Sequence, residues 1–242
     1  MLSSLKLHDR KVLWPQRMSE QQVLDLRDTT LDHVWQTTYQ GNATSPGGNI
    51  FQRSWFENRF SHGSGKPIAR WLSADTALSD AETAALSAIL VGDLMPDYTL
   101  RIVDMWSDWV QFPQLVSTSL KMLRKYDSPK DILRGIIIEK KASGFSLIQT
   151  LRQQKDVSQF VLEFTPKESK ELRWTEASSW TFNEMVLLPE PSEKVSWLLA
   201  FEEDLFNAPG ILHSDRLDAF AQLILFLSNL LSAGLAAKGV KK

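Results

Sequence analysis

The chain has 242 residues, 27 lysines plus arginines against 29 aspartates plus glutamates, a formal charge of −2 and no cysteine. Such a length buries a full core and allows one domain with an appendage, or two small domains. The missing cysteines exclude a disulfide framework, thiolate catalysis and cysteine-ligated zinc, so any metal falls to oxygen ligands or to the four histidines, and the near-neutral charge gives no global signal for nucleic acid.

The opening MLSSLKLHDRKVLW lacks an uninterrupted apolar core followed by small residues, so no secretory signal is expected and the chain reads as cytoplasmic. Ser19 as N-cap with Gln22 three residues on predicts a helix over 19–40, and Gly-Asn-Ala-Thr-Ser-Pro-Gly-Gly at 41–48 predicts a loop. Residues 1–48 are thus expected to form an arm and 49–242 the domain. Strands are expected at 68–77, stopping at Asp75, and at 98–106, with 83–92 a strand or short helix and the turn before 98 a hairpin. Leu115, Leu120 and Leu123 supply the apolar stripe of a helix over 112–126.

Gly135 to Glu139 contains three consecutive isoleucines, the pattern of a strand buried on both faces. A helix over 143–154, a strand at 159–164, a helix over 167–183 and a short strand at 185–188 before Pro189 follow. Helices are predicted over 194–206 and 215–237; the apolar stretch 217–237 reaches membrane-spanning length, but Asp218, Gln222, Ser228 and Asn229 favour a buried domain helix, so no membrane is expected. Antiparallel strands followed by alternating strands and helices give the expected fold class, an α/β mixed sheet flanked by helices.

The acids that end these elements carry the chemistry. Asp75 closes the first strand, Glu139 closes the triple-isoleucine strand, and Asp215 with Asp218 opens the last helix. Mg²⁺ or Mn²⁺ takes hard oxygen ligands, and two such ions about 4 Å apart can activate water and stabilise the leaving oxygen of a phosphodiester. Asp75 and Glu139 would meet if their strands lie side by side, although an Asp at a helix start is commonly only a cap. Most of the nine tryptophans are expected in the core or half-buried, with base stacking the minor alternative.

In chain order, several segments resemble the large terminase subunits of tailed bacteriophages, at their C-terminal nuclease domain and the segment before it. LWPQRMSEQQVLDLRD (13–28), PGGNIFQRSWFE (46–57), SADTALSD (73–80), IIIEKKASGFSLIQTLR (136–152) and HSDRLDAFAQ (213–222) carry the resemblance, the fourth being the most specific. It implies a ribonuclease-H-like metal-dependent endodeoxyribonuclease of genome packaging, with a two-metal Mg²⁺ or Mn²⁺ site on Asp75, Glu139 and Asp215. Asp218 is the alternative third ligand, because Ser214 stands where the family commonly has the first of two adjacent acids; Asp215 is preferred.

The same resemblance makes Asp80, His213 and Lys141 accessory groups, and Lys140, Lys167, Lys170 and Arg173 contacts to the phosphates of double-stranded DNA. Its implied partners are a terminase ATPase domain or motor, the portal and the small terminase subunit, in the cytoplasm of a bacterial host. No G-x-x-x-x-G-K-[ST] phosphate loop is present, since Gly65-Lys66 runs into Pro67, so this chain is not expected to translocate DNA alone and reads as a fragment, split product or prophage remnant. Two other readings remain: a non-catalytic module docking on the portal or small subunit, and a ribonuclease-H-fold resolvase or transposase.

Overall fold

The structure, a computed structural model, describes residues 7–8, 11–12, 19–30, 50–61, 63–76, 85–127 and 132–239. Two compact units divide the chain, residues 1–50 and 51–242. In the first unit, strands β1 (Leu7–His8) and β2 (Lys11–Val12) pair antiparallel. Helix α1 (Glu20–Asp28) starts as its sequence dictates: Gln22 N donates to Ser19 Oγ at 3.3 Å while Gln22 Oε1 accepts from Ser19 N at 2.9 Å. It ends earlier than expected, because Thr29 caps it and returns its hydroxyl to the Asp25 carbonyl at 2.9 Å. The rest of the predicted helix, 31–40, and the loop 41–48 lie outside the described residues.

The second unit is a seven-stranded mixed sheet in the order β3-β9-β6-β5-β4-β7-β8. Its strands are β3 (Arg59–Phe60), β4 (Ala69–Thr76), β5 (Ala85–Leu94), β6 (Leu100–Val110), β7 (Leu133–Glu139), β8 (Val161–Phe164) and β9 (Val186–Pro189). β4, β5 and β6 form an antiparallel meander, while β7 joins β4, β8 joins β7 and β9 joins β6 in parallel. The segment left open between strand and helix is thus a strand, and the hairpin forms as expected.

Helices α2 (Phe112–Tyr126) and α3 (Ala142–Arg152) cover one face. There Leu115 and Leu123 of α2 and Leu147 and Leu151 of α3 meet Leu72, Ile89, Ile136 and Ile138 in the main apolar core. α4 (Lys170–Phe182), α5 (Leu198–Asn207) and α6 (Asp215–Gly239) follow. α6 lies over β4 and β5 on the other face, with Phe226 against Trp71 at 5.1 Å between ring centroids. It comes so close that a Cβ on Gly92 would stand 2.6 Å from Leu223 Cδ2.

Three expectations are corrected at element ends. The strand predicted at 159–164 opens with a 3₁₀ turn, Ser158–Phe160, and the helix predicted over 194–206 is split into a 3₁₀ turn, Glu193–Val195, and α5. Pro189 belongs to β9 rather than following it; it ends the strand beside Phe60 of β3, a pair too short to show a pattern in the sequence. α6 over Asp215–Ala233 is long and apolar enough to cross a membrane, yet half of that window is buried inside the fold. Of the described tryptophans, Trp71 and Trp174 are buried and Trp109 is half exposed.

Candidate active site

The strand register brings the first two acids together. β4 pairs with β7 in parallel through Ala74 and Ile138, so the next residues, Asp75 and Glu139, lie side by side; Glu139 closes β7, while β4 runs one residue past the expected stop at Asp75, to Thr76. Side chains alternate between faces along a strand. Leu72, Ala74, Ile136 and Ile138 therefore enter the core under α2 and α3, while Ser73, Asp75, Ile137 and Glu139 face α6.

The turn after Glu139 fixes that end. A Cβ on Gly144 would stand 1.9 Å from the Glu139 carbonyl oxygen, so only glycine lets α3 begin this close to the strand end. Ser143 Oγ donates to the Thr76 carbonyl at 2.5 Å and accepts from Thr76 Oγ1 at 3.1 Å, tying the end of β4 to the start of α3.

α6 and α4 close the site from the opposite side. Asp215 is the first residue of α6 and partly buried; Asp218, 1% exposed, lies one turn along. Asp218 Oδ1 accepts from Trp174 Nε1 at 2.9 Å, and Oδ2 accepts from Ser214 Oγ at 3.0 Å and pairs with Lys170 Nζ at 2.5 Å. Lys170 also donates to Ser214 Oγ. Arg173, 2% exposed, donates from Nη1 to Glu139 Oε2 at 3.1 Å and holds Nη2 4.0 Å from Asp218 Oδ1. Lys141 Nζ rests against Glu139 Oε1 in an ion pair.

Asp75 records the resulting field. Its carboxyl is pushed up to about 8, first by burial and then by the charges of Asp218, Asp215 and Glu139, against the pull of Lys170. Burial also raises Asp215, opposed by a bond to its own backbone N–H and by Lys170 and His213. Four carboxylates thus share one electrostatic site.

The donor set suits a hard divalent cation: it is all carboxylate, and burial together with the crowding of Asp218, Asp215 and Glu139 raises Asp75. As the side chains stand, no three His, Asp or Glu residues among the described residues are grouped to grasp one ion. Lys141, whose side chain is 67% exposed, pairs with Glu139 Oε1 and can leave it.

The remaining predicted residues divide. Asp80 lies outside the described residues. His213 is exposed, its ring edge-on to Trp109 at 5.3 Å and its charge felt by Asp215. Lys140 is directed to Glu163 at 2.8 Å, a carboxylate it shares with Arg152. Lys167 is exposed before α4, its N–H on Glu168 Oε2 at 3.2 Å. Arg173, expected on a DNA phosphate, is instead a buried counter-ion between Glu139 and Asp218. Two residues that sequence reasoning passed over complete the site, Trp174 on Asp218 and Gln222 on β4 and β7. The spacing of Lys170, Arg173 and Trp174 was the available signal, since positions three and four apart share a helix face.

No family model and no curated protein matches the chain. The fold matches a large terminase from a thermophilic bacteriophage with a TM-score of 0.61 at 15% identity, over 86% of this chain and 52% of that one. This chain therefore spans about half the length of that protein. It also matches the large terminase nuclease from the thermophilic phage G20c, solved with bound cobalt, with a TM-score of 0.53 at 13% identity over 74% of this chain and 97% of that one. The same nuclease with bound magnesium gives 0.52 at 12% identity over the same shares. Residues 51–242 thus carry the α/β, ribonuclease-H-like fold of the large terminase nucleases.

Proposed function

We propose that this chain is the metal-dependent endodeoxyribonuclease domain of a phage terminase, cutting concatemeric duplex DNA during genome packaging. The observation that carries the reading is the convergence of Asp75, Glu139, Asp215 and Asp218 at the ends of two parallel strands and the start of α6. Mg²⁺ or Mn²⁺, when bound, supplies Lewis-acid polarisation of the phosphodiester and a more acidic attacking water. Asp75, Glu139 and Asp215 would hold it through carboxylate oxygens, with Asp218 fixed beside them by Trp174 and Ser214.

Each residue has a task that follows from its placement. Arg173 occupies Glu139 Oε2, so Oε1, on which Lys141 rests, is the oxygen that would meet a cation once Lys141 moves away. Asp75, pushed up to about 8 by burial and then by its carboxylate neighbours, would have to be ionised to hold a cation, so loading would release acid. Lys170 and Lys141, with side chains 47% and 67% exposed, stand at the rim and meet the DNA backbone there. The two-metal form implied by the resemblance depends on the basic side chains among the carboxylates. In this reading the domain works with a terminase ATPase motor, the portal and the small terminase subunit, in the cytoplasm of a bacterial host.

A docking module that has lost catalysis is the second reading, and one observation favours it: basic side chains already occupy Glu139 and Asp218. Plasmid cleavage separates the two. The purified chain should nick and linearise DNA in Mg²⁺ or Mn²⁺ and not in EDTA, and Asp75→Ala and Glu139→Ala should each lose at least a hundredfold in rate, about 3 kcal/mol of barrier. Cleavage by Asp75→Ala as fast as wild type would sink the nuclease; a folded wild type inert in every metal would favour docking.

A further inference from the structure

We infer that Trp109 is a base-stacking platform beside this site: it takes a base of the cut strand that has left the double helix, a few nucleotides from the scissile phosphodiester. The inference rests on the nuclease reading above and adds what the substrate must look like there.

Strand register places the ring. Asp75 pairs with Ala88 and Ala88 with Ser107, so Ser107 of β6 lies two strand spacings from Asp75, about 10 Å across the sheet. β6 runs in the same direction as β4, and Trp109 is two residues further on, about 7 Å beyond the line of the carboxylates. Ser107 Oγ accepts from Arg216 Nε of α6 at 2.8 Å. Trp109 shares the phase of Ser107 along the strand and meets His213, two residues before α6, edge-on with ring centroids 5.3 Å apart. Trp106 has the opposite phase and packs against the apolar core. On the far side of the carboxylates, Lys141 follows β7, and Lys170 lies on α4, whose Arg173 reaches Glu139 of β7. β4 and β5 separate β7 from β6, so the two lysines and Trp109 flank the carboxylates from opposite sides.

Exposure and chemistry name the ligand. Trp109 is 50% exposed, whereas the other six tryptophans among the described residues are buried or half-buried. Leu212, next to His213 in the chain, is 91% exposed, so the rim on this side is apolar where the other is basic. An indole has no charge to offer a phosphate; the flat surface a nucleic acid presents to it is a base. In paired DNA each base is covered above and below by its neighbours, so the ring finds a free face only where a base is unpaired or drawn out of the stack. The distance from Asp75, about 12 Å, spans three to four nucleotides at about 3.4 Å each. Lys141 and Lys170 would then hold the backbone on one side and Trp109 an extruded base on the other, with the scissile phosphodiester lying across the carboxylates.

Binding, read apart from cutting, tests this. A short fluorescein-labelled duplex, either fully paired or with an unpaired bubble at its centre, is titrated with the chain in Ca²⁺ and followed by anisotropy, the DNA being checked intact afterwards. Wild type should prefer the bubble about fivefold or more, the lower end of what one base stacked on an aromatic side chain is worth. Trp109→Ala should lose that preference and bind the paired duplex as wild type does, and Trp109→Phe should keep most of it. Lys170→Ala should weaken both DNAs by the same factor and lower the salt dependence, because a phosphate contact is blind to pairing. The ratio of the two Kd values decides, since a variant that only loosens the fold weakens both. A wild type without preference, or a Trp109→Ala protein that keeps it, would overturn the inference and leave the nuclease standing. A folded wild type that binds neither DNA would end the nuclease reading and this inference with it.

Discussion

On one face of the sheet Leu72, Ile89, Ile136 and Ile138 pack against α2 and α3 in an apolar core; on the other, the same strands offer Ser73, Asp75 and Glu139 to a helix carrying Asp218 and Gln222. The division of labour follows from the two-residue period of a strand, which lets alternate positions serve cohesion and chemistry. It also explains how four like charges persist together. Crowded carboxylates repel and favour protonation or a counter-ion, so they stay together only where other contacts fix the backbone. Here the apolar face fixes β4 and β7, and Arg173 supplies the counter-ion.

Substitutions on the two faces should therefore differ in kind. Arg173→Ala leaves Glu139 and Asp218 buried with less compensation, and losing one partner of a buried ion pair costs about 3–5 kcal/mol. Ile136→Ala on the dry face removes apolar volume and costs about 2–5 kcal/mol through the cavity. The sharper contrast is rescue. Millimolar Mn²⁺ should restore several degrees of melting temperature to Arg173→Ala, because a cation replaces the missing charge, and should restore no more to Ile136→Ala than it gives wild type. Equal rescue of both, in thermal melts with Mn²⁺ against EDTA, would break the comparison.

Most of this arrangement was legible in the sequence, and the parts that were not share a physical reason. The triple isoleucine of β7 pointed to the strand that ends in Glu139, because burial on both faces leaves a dense local pattern, and β4 was read within a residue or two of its bounds. The turn to α3 was legible for the same reason, Gly144 being the residue its close approach demands. Two-residue β3 and the 3₁₀ turns were not, since so few residues carry no period. In the site, Arg173 resembled a solvated phosphate contact because Glu139 and Asp218, which bury it, lie 34 and 45 positions away in sequence. Long-range pairing of charges leaves no local trace.

The Asp75 field gives a pH dependence of intermediate size. Its native carboxyl titrates near 8 against about 3.8 for the free group, so between those values the folded chain holds a proton that the unfolded chain has lost. Stability then falls as pH rises through that window. Discounted for screening of a partly exposed group, the loss between pH 5 and pH 9 is on the order of 2 kcal/mol in EDTA. Asp75→Asn should flatten the curve and be the more stable protein at pH 9, as read from urea midpoints. Parallel curves for the two proteins would show that neither burial nor the neighbouring carboxylates raise Asp75.

The smallest effect concerns the joint between the faces. Gln222 Nε2 reaches Ser73 Oγ at 2.9 Å, the Ile137 carbonyl at 3.0 Å and the Ala74 carbonyl at 3.3 Å, while its own Oε1 is buried without a partner. It lies one turn beyond Asp218, so these bonds help set how far Asp218 stands from Asp75 and Glu139. Gln222→Leu loses the donor but also removes the orphaned oxygen, and the two terms offset to a net cost of about 1 kcal/mol. A few-fold weaker Mn²⁺ affinity should accompany it, because α6 would then be located by apolar contacts alone. Unchanged affinity would mean that Leu223 against Gly92 and Phe226 against Trp71 already fix the helix, leaving Gln222 to satisfy buried carbonyls and nothing more.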